Sequence, residues 1–177
     1  MVQLQEWFAR EFSFTLPVWM FPNIVARLRG TPARLEDLVR SIPPEHLTRR
    51  HNEQWSIQEH AGHLLDLSEL DITRLREFTA GAIVLTAADR ENRKTYAADH
   101  NANSIESILT AFRAERMAFV ARLDELDEAF VKRTALHPRL QLEMRVLDFA
   151  FFIAEHDDHH LARISELIRL HGETIAV

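Results

Sequence analysis

A pair of histidines near the end of the chain restricts the fold more than any other sequence feature. His156 and His160 stand four positions apart within residues 149–164, so on an α-helix they project from one face, one turn apart. Phe149 and Ile153 share that face, which therefore points inward. Because an unpaired buried polar group costs roughly 1–3 kcal/mol, each ring must find hydrogen-bond partners or bind something, and this spacing lets two imidazoles bind one metal ion.

Size and composition favour one compact helical domain. The 177 residues can bury a substantial core but are few for two domains. Four glycines and six prolines, with 46% apolar and 27% charged residues, indicate a folded helical chain rather than a disordered or collagen-like one. The absence of cysteine excludes disulfides, zinc–thiolate sites and a cysteine nucleophile. Without a signal-type segment or a membrane-spanning run, the chain is predicted to be cytoplasmic with no membrane partner. A net charge of −6 argues against nucleic acid as a partner.

The first part of the chain predicts an arm followed by a helical domain. Residues 1–21 are rich in aromatic residues and lack a clean period, so we expect an arm that packs on a domain spanning residues 22–177. Pro22 marks a helix start. The pair Thr31-Pro32 after Gly30 predicts a break and a second start, with the threonine as N-cap and the proline at the first helical position.

Local signals predict two long helices in the middle of the chain. Ser56-Ile-Gln-Glu59 is a capping box, in which hydroxyl and carboxylate satisfy backbone N–H groups, so a helix should begin here. Apolar residues recur at helical spacing to about Thr79. Residues 81–103 lack a strong period and predict a long crossing connection. Asn103 is the predicted N-cap of the next long helix, whose apolar pattern fades at Asp124.

The last predicted helix completes an all-α fold. A loop over residues 130–138 precedes a helix from about Glu143 to His171, with Gly172 as the C′ residue that ends it. Four long helices joined partly by long loops indicate a four-helix bundle with a long crossing connection. The core of such a bundle can hold a site built from facing helices.

The second helix of this bundle offers a third imidazole. His60 and His63 both lie within or at the edge of its apolar arc, with His60 nearer the centre, so the hydrophobic pattern does not choose between them. Three neutral imidazoles suit Zn²⁺, Ni²⁺ or Fe²⁺ and leave coordination positions for water or substrate, as in a catalytic site. At a zinc centre the pKa of bound water can fall to about 7, and the same centre could instead hold a thiolate.

Two motifs resemble those of the DinB/YfiT-like superfamily of four-helix-bundle metal-binding proteins. The first is Trp55-Ser-Ile-Gln-Glu-His-Ala-Gly-His-Leu-Leu-Asp66, and the second, roughly 90 residues later, is His156-Asp-Asp-His-His-Leu-Ala-Arg-Ile164. The segment Leu28-Arg-Gly-Thr-Pro-Ala-Arg-Leu35 is similar to the first helix of that family. The resemblance spans residues 22–171, with both motifs in the expected order and on the expected helices.

This resemblance implies a ligand set and a range of activities. One histidine of the second helix and the H-x-x-x-H pair of the last helix bind a divalent metal in that family, which corresponds here to His63, His156 and His160, with His60 as the alternate. Family members are associated with metal-dependent hydrolysis and with transfer or isomerisation using low-molecular-weight thiols. Because this chain has no cysteine, any such thiol would be a cosubstrate. The resemblance also implies a homodimer.

Five residues near these histidines each have two interpretations. Asp66 and Asp157 could orient imidazoles through their free N–H groups or could be ordinary helix-surface charge. Glu59 is first a helix cap and second a candidate base. Trp55 is a packing anchor or a substrate contact, and His159 is a supporting or interface residue rather than a ligand. The remaining histidines show no evident chemistry in the sequence: His46, His51, His100, His137 and His171.

Three function classes fit these features. The first is an enzyme whose metal activates water or a small thiol against a small electrophilic substrate, as a hydrolase or thiol-dependent transferase. The second is a non-catalytic metal-binding protein that serves in stress response or as an interaction module. The third is a metal-free helical interaction domain, for which a chelator would not change stability.

Overall fold

A computed structural model describes residues 3–52 and 54–175, with side chains to residue 171. Its helices are α1 (Phe21–Val39), α2 (Pro44–Leu47), α3 (Ile57–Asp66), α4 (Ser68–Ala80), α5 (Arg93–Ala98), α6 (Ile105–Asp124), α7 (Glu128–Val131) and α8 (Val146–Ile175). Short 3₁₀ turns lie at Trp7–Ala9, Val18–Met20 and His100–Ala102. The antiparallel strands β1 (Thr134–His137) and β2 (Leu142–Arg145) form a two-stranded hairpin.

The predicted all-α four-helix bundle is confirmed. Helices α1 and α3 each pack against both α6 and α8. Helix α4 follows directly after α3 and also packs against α6 and α8. Two apolar clusters fill the bundle. One contains Phe78, Phe119 and Phe149, and the other contains Leu64 and Phe112. Burial of these side chains, about 1.5–3 kcal/mol each, stabilises the packing of the four rods.

A polar layer crosses the bundle between the two apolar clusters. Thr31 of α1, Asp71 of α4, Arg116 of α6 and Asp157 of α8 are all buried at this level. Along α8 the layer falls in residues 155–160, between the apolar residues of one cluster and those of the other. The four helices therefore bring chemistry-bearing side chains together in the middle of the core.

The predicted helix break at Gly30, with Thr31 as N-cap and Pro32 at the first helical position, is wrong. Helix α1 continues through all three residues and contains Pro32 in its interior. A proline there costs about 3 kcal/mol through one missing backbone hydrogen bond and a ring clash. Leu28 and Leu35, on either side, are fully buried, and burial of this continuous apolar stripe outweighs the local penalty.

The capping box at Ser56 and Glu59 is confirmed, since the Ser56 hydroxyl accepts from the Glu59 N–H at 3.1 Å and the Glu59 carboxylate accepts from the Ser56 N–H at 2.8 Å. The helix that begins there is interrupted at Leu67, where α3 ends and α4 begins. Backbone hydrogen bonds on both sides of Leu67 remain helical, because its N–H reaches the His63 carbonyl. The two segments therefore act as one rod.

Three predicted helix ends shift in the structure. The N-cap of α6 is Ser104, whose hydroxyl accepts from the Ser107 N–H, whereas the Asn103 side chain donates to carbonyl groups of the preceding turn. Residues 130–138 are not all loop, because they contain the end of α7 and strand β1. Helix α8 begins at Val146 rather than Glu143 and includes Gly172, which is therefore not its C′ residue.

The segment before α1 lies against the bundle. Trp7, Phe12 and Phe14 are partly buried against the apolar cluster that contains Phe149. The Arg145 guanidinium donates to carbonyl groups of this segment, including that of Leu16 at 2.9 Å. No helix among residues 3–52 and 54–175 combines the length and apolarity that crossing a membrane requires.

Candidate metal centre

Three histidine side chains converge in the polar layer. Each of His63, His156 and His160 offers one ring nitrogen, and these three atoms lie within 4.8 Å of one another. His63 comes from α3, whereas the other two are one turn apart on α8. The Nε2 atoms of His156 and His160 are 3.1 Å apart. Two imidazole nitrogens bound to one ion at about 2.1 Å stand roughly 3.0–3.4 Å apart, so this spacing fits a shared ion.

His60 lies behind the triad rather than in it. Its Nδ1 atom is 2.8 Å from Nδ1 of His160, so one of these rings donates a proton to the other. With His160 as the donor, its Nε2 atom carries a lone pair that faces His156. A bond of this kind orients a metal-binding imidazole and sets its tautomer. The His60 and His63 alternatives, which the hydrophobic pattern left open, thus occupy different places in the structure.

A chain of polar groups supports His63 from the other side. Its Nδ1 atom is 3.0 Å from the Thr95 hydroxyl, which leaves Nε2 directed away from this bond. Thr95 also bonds the Asp66 carboxylate, which lies 2.8 Å from Nε2 of His100. Asp66 therefore reaches His63 through a threonine rather than directly. The connection between the second and third long helices supplies both Thr95 and His100.

His100 also explains the glycine between the two histidines of α3. Its ring packs directly on Gly62, where an added Cβ atom would stand 2.1 Å from the His100 Cγ atom. The sequence contained a signal for this contact, because an isolated glycine within a helical pattern often marks close packing.

Gly62→Ala is expected to destabilise the protein by about 2 kcal/mol, because the new methyl group overpacks a buried contact. The His100 ring would have to move away from Asp66, which weakens the support of His63. Urea unfolding monitored by circular dichroism measures the change. Gly30→Ala is the matched control, since an added Cβ at Gly30 of α1 would meet only the Arg34 Nε atom, at 4.0 Å, among described atoms outside the adjacent helix backbone. This variant should stabilise by roughly 0.5–1 kcal/mol. Equal stability of the Gly62 variant and the wild type would contradict this close contact.

The other candidates from the sequence lie around the triad in different roles. Asp157 accepts from Arg116 at 2.8 Å, and Glu59 pairs with Arg50 in addition to capping α3. Trp55 lies against the triad, with its ring centroid 4.7 Å from that of His63. His159 lies beside the triad, with its ring centroid 5.3 Å from that of His160, but it bonds Arg10, with 3.1 Å between Nδ1 and the guanidinium nitrogen.

The electrostatic environment keeps the imidazoles neutral. Burial lowers the pKa of His63 to about 4 and that of His60 to about 3. Burial, assisted by the neighbouring histidines, holds the pKa values of His156 and His160 well below the usual range. Metal ions bind the neutral form of imidazole, so at pH 7 the three rings offer lone pairs without first losing a proton.

A cavity of about 650 Å³ opens onto the triad. Trp55 and Tyr96 line it on the side of α3, and Trp7 of the N-terminal segment lines it on the side of α8. Its volume is typical of a pocket for a small molecule. Sequence reasoning missed part of this lining, including Arg74 and His137, because these residues lie far apart in the chain and share no motif.

Comparisons with known proteins agree with this architecture. The sequence profile of a family described as the DinB superfamily matches residues 27–164. No curated protein matches the chain. One similar solved structure carries the description "YfiT from Bacillus subtilis is a probable metal-dependent hydrolase with an unusual four-helix bundle topology". It superposes with a TM-score of 0.82 at 18% sequence identity, over 92% of this chain and 94% of that one. At this identity the similarity establishes the fold.

Proposed function

Because the chain belongs to the DinB superfamily, we propose that it is a metal-dependent enzyme that holds one divalent ion through His63, His156 and His160. The observation that carries this proposal is the convergence of three ring nitrogens within 4.8 Å. A divalent ion held by these residues would supply Lewis acidity, which would make a water molecule or a thiol reactive at neutral pH. The description of the YfiT structure as a probable metal-dependent hydrolase supports hydrolysis as one reaction class.

The residues around the triad would perform three tasks. The three imidazoles present lone pairs, since burial keeps them neutral. His60 holds the His160 ring in place, and Thr95 holds the His63 ring, in each case through a hydrogen bond to the Nδ1 atom of the held ring. Trp55 shields the histidines from one side and gives an apolar wall to the cavity. A thiol that took part in the reaction would enter as a cosubstrate, because the chain has no cysteine.

The cavity favours an enzyme over a metal-binding protein without catalysis. Structural metal sites are closed by four protein ligands, whereas catalytic sites retain an open position beside three. Here three histidines adjoin a cavity of about 650 Å³, so a small substrate could reach the ion.

His160→Ala is expected to weaken zinc binding at least about a hundredfold, because the variant keeps only two imidazoles of the triad. Metal content after dialysis against zinc, measured by inductively coupled plasma mass spectrometry, should fall from one ion per chain to near zero. His159→Ala is the matched control, since it removes a neighbouring buried histidine that bonds Arg10 instead. A full ion per chain in the His160 variant would refute the ligand set.

Two further variants separate the histidines of α3 in the same assay. His63→Ala should match His160→Ala, whereas His60→Ala should retain the ion with roughly 10-fold to 100-fold lower affinity, as expected for loss of a supporting hydrogen bond. The reverse order would assign His60 as the ligand. Circular dichroism of each variant reports whether the helices persist.

A further inference from the structure

The cavity next to the triad contains hydrogen-bond donors that have no acceptor among the described residues. Three buried nitrogens have no hydrogen-bond partner within residues 3–52 and 54–175: Nη2 of Arg74, Nη2 of Arg139 and Nε2 of His137. All three residues line the cavity. We call these three residues the cationic end of the cavity. Arg74 and His137 are 4% and 2% exposed. Burial of such donors is costly unless something from outside the fold accepts from them.

The hydrogen bonding of His137 makes its free nitrogen a donor. Its Nδ1 atom accepts from the Leu140 N–H at 3.2 Å, so the proton of the neutral ring resides on Nε2. Arg74 uses its Nε–H to bond the Thr86 carbonyl at 2.9 Å, which fixes the guanidinium and leaves Nη2 free. The Arg74 guanidinium and the His137 ring are therefore each fixed in place, and each keeps an N–H without an acceptor.

The carboxylates that line the cavity are paired with other arginines. Glu6 pairs with Arg163, Asp89 with Arg93, and both Asp71 and Asp157 with Arg116. Within the described parts of the chain, neither arginine of the cationic end lies within ion-pair distance of a carboxylate. Asp71 and Glu77 attract Arg74 from beyond that distance, whereas the charged neighbour that acts on Arg139 is the like-charged Arg90. The excess positive charge at this end is therefore that of Arg139, inside a protein whose net charge is −6.

Aromatic rings connect Arg139 of the cationic end to the triad. Its guanidinium carbon lies 5.3 Å from the ring centroid of Phe8 and 5.9 Å from that of Trp7. The Trp7 ring also contacts His156, with 4.8 Å between the centroids. A single small molecule could therefore contact the cationic end and the triad at the same time, with the Trp7 ring beside it.

We infer that the cationic end binds an anionic oxygen group, a carboxylate or a phosphate, of the molecule that reacts at the triad. Guanidinium N–H groups bind both kinds of oxyanion, so Nη2 of Arg74 and Nη2 of Arg139 supply two donors and the His137 N–H adds a third. The assignment of this anion to a substrate rests on the proposed function of the triad. Binding of the anion itself does not, because none of its three donors belongs to the metal centre.

The test titrates acetate, inorganic phosphate and neutral acetamide into the full chain at constant ionic strength and monitors the thermal midpoint. It uses zinc-loaded wild type and metal-free His160→Ala. We expect acetate or phosphate, but not acetamide, to raise the midpoint in both proteins. In a metal-free Arg139→Gln/His160→Ala double variant, the apparent dissociation constant should be at least about tenfold weaker than in His160→Ala.

Arg133→Gln, made in the same background, is the matched control. Arg133 belongs to the same hairpin region and also lies over an aromatic ring, that of Phe130 at 4.5 Å, but it does not line the cavity. Its affinity for the anions should remain within about twofold of the parent. Arg139→Lys, which keeps the charge but loses the planar fork, should bind at least about threefold weaker and replaces the glutamine variant if that protein does not fold.

The outcomes distinguish the inference from the proposed metal centre. A preference for acetate assigns a carboxylate and a preference for phosphate assigns a phosphate, and either supports the inference. Equal effects of acetamide, or unchanged affinity in the Arg139 variants, would overturn it. Anion binding without zinc binding in the wild type would overturn the metal centre alone.

Discussion

Arg116→Met is expected to destabilise the protein by about 3 kcal/mol, as is typical when one partner of a buried ion pair is removed. Arg116 is 2% exposed in the polar layer. It donates to Asp157 at 2.8 Å and lies 3.4 Å from Asp71, and so connects α6 with α8 and α4. Methionine fills similar volume but leaves both carboxyl groups buried without the guanidinium that bonds them.

The size of this effect depends on how readily the two carboxyl groups accept protons. Burial already raises the pKa of Asp71 to about 7, and it raises the pKa of Asp157 despite the adjacent Arg116. Without the guanidinium both pKa values rise further, so the groups become neutral rather than remaining charged. We therefore expect the lower end of the usual range of roughly 3–5 kcal/mol, and a smaller loss at pH 5 than at pH 8.

Urea unfolding of Arg116→Met at pH 8, followed by circular dichroism, measures the loss. Arg113→Met, in the same helix, is the matched control. Arg113 pairs with Glu36 at the surface, and its side chain is 43% exposed, so its removal should cost at most about 1 kcal/mol. Equal stability of the two variants would show that the polar layer does not depend on its central cation.

Acidification of the metal-free protein from pH 6.5 to about pH 4 is expected to lower the free energy of unfolding steeply. Burial lowers the pKa values of His60, His63, His137, His156, His159 and His160. In this window the unfolded chain binds protons that the folded chain excludes. Stability therefore rises with pH by about 1.4 kcal/mol per unit for each such histidine, and the rise ends above pH 6.5.

Two carboxyl groups act in the opposite direction. The raised pKa values of Asp71 and Asp157 mean that the folded chain holds protons that the unfolded chain has lost above about pH 4. They offset part of the contribution of the six histidines, so we expect a net slope of at least about 2 kcal/mol per pH unit near pH 5.5. Urea unfolding at half-unit pH intervals gives this slope.

A pair of variants checks the origin of the slope. His137→Gln removes one buried imidazole of the cavity and should reduce the slope by up to about 1.4 kcal/mol per pH unit. His51→Gln, in the loop before α3, is the matched control, because His51 does not line the cavity. A stability that is flat between pH 4 and 6.5 in the wild type would contradict neutral histidines in the core.

Features that depend on residues close together in the sequence could be predicted from the sequence. The apolar periods located the long helices, and the capping box at Ser56 and Glu59 located the start of α3. The spacing of His156 and His160 placed both rings on one face, because four residues make about one helical turn. Pro32 shows the limit of such signals, since its local preference for a helix start was outweighed by burial of the apolar stripe on both sides.

The sequence by itself determined the four-helix architecture and the histidine pair, because both follow from periods within single helices. The hydrophobic pattern left His60 and His63 open, and the family resemblance favoured His63. Only the tertiary structure places His63 beside this pair and His60 behind it, since their places depend on how α3 rotates against α8. Only the tertiary structure likewise brought Arg74, His137 and Arg139 into one cavity. Their proximity depends on the packing of a hairpin against α4 and α8, and no spacing along the chain encodes such a contact.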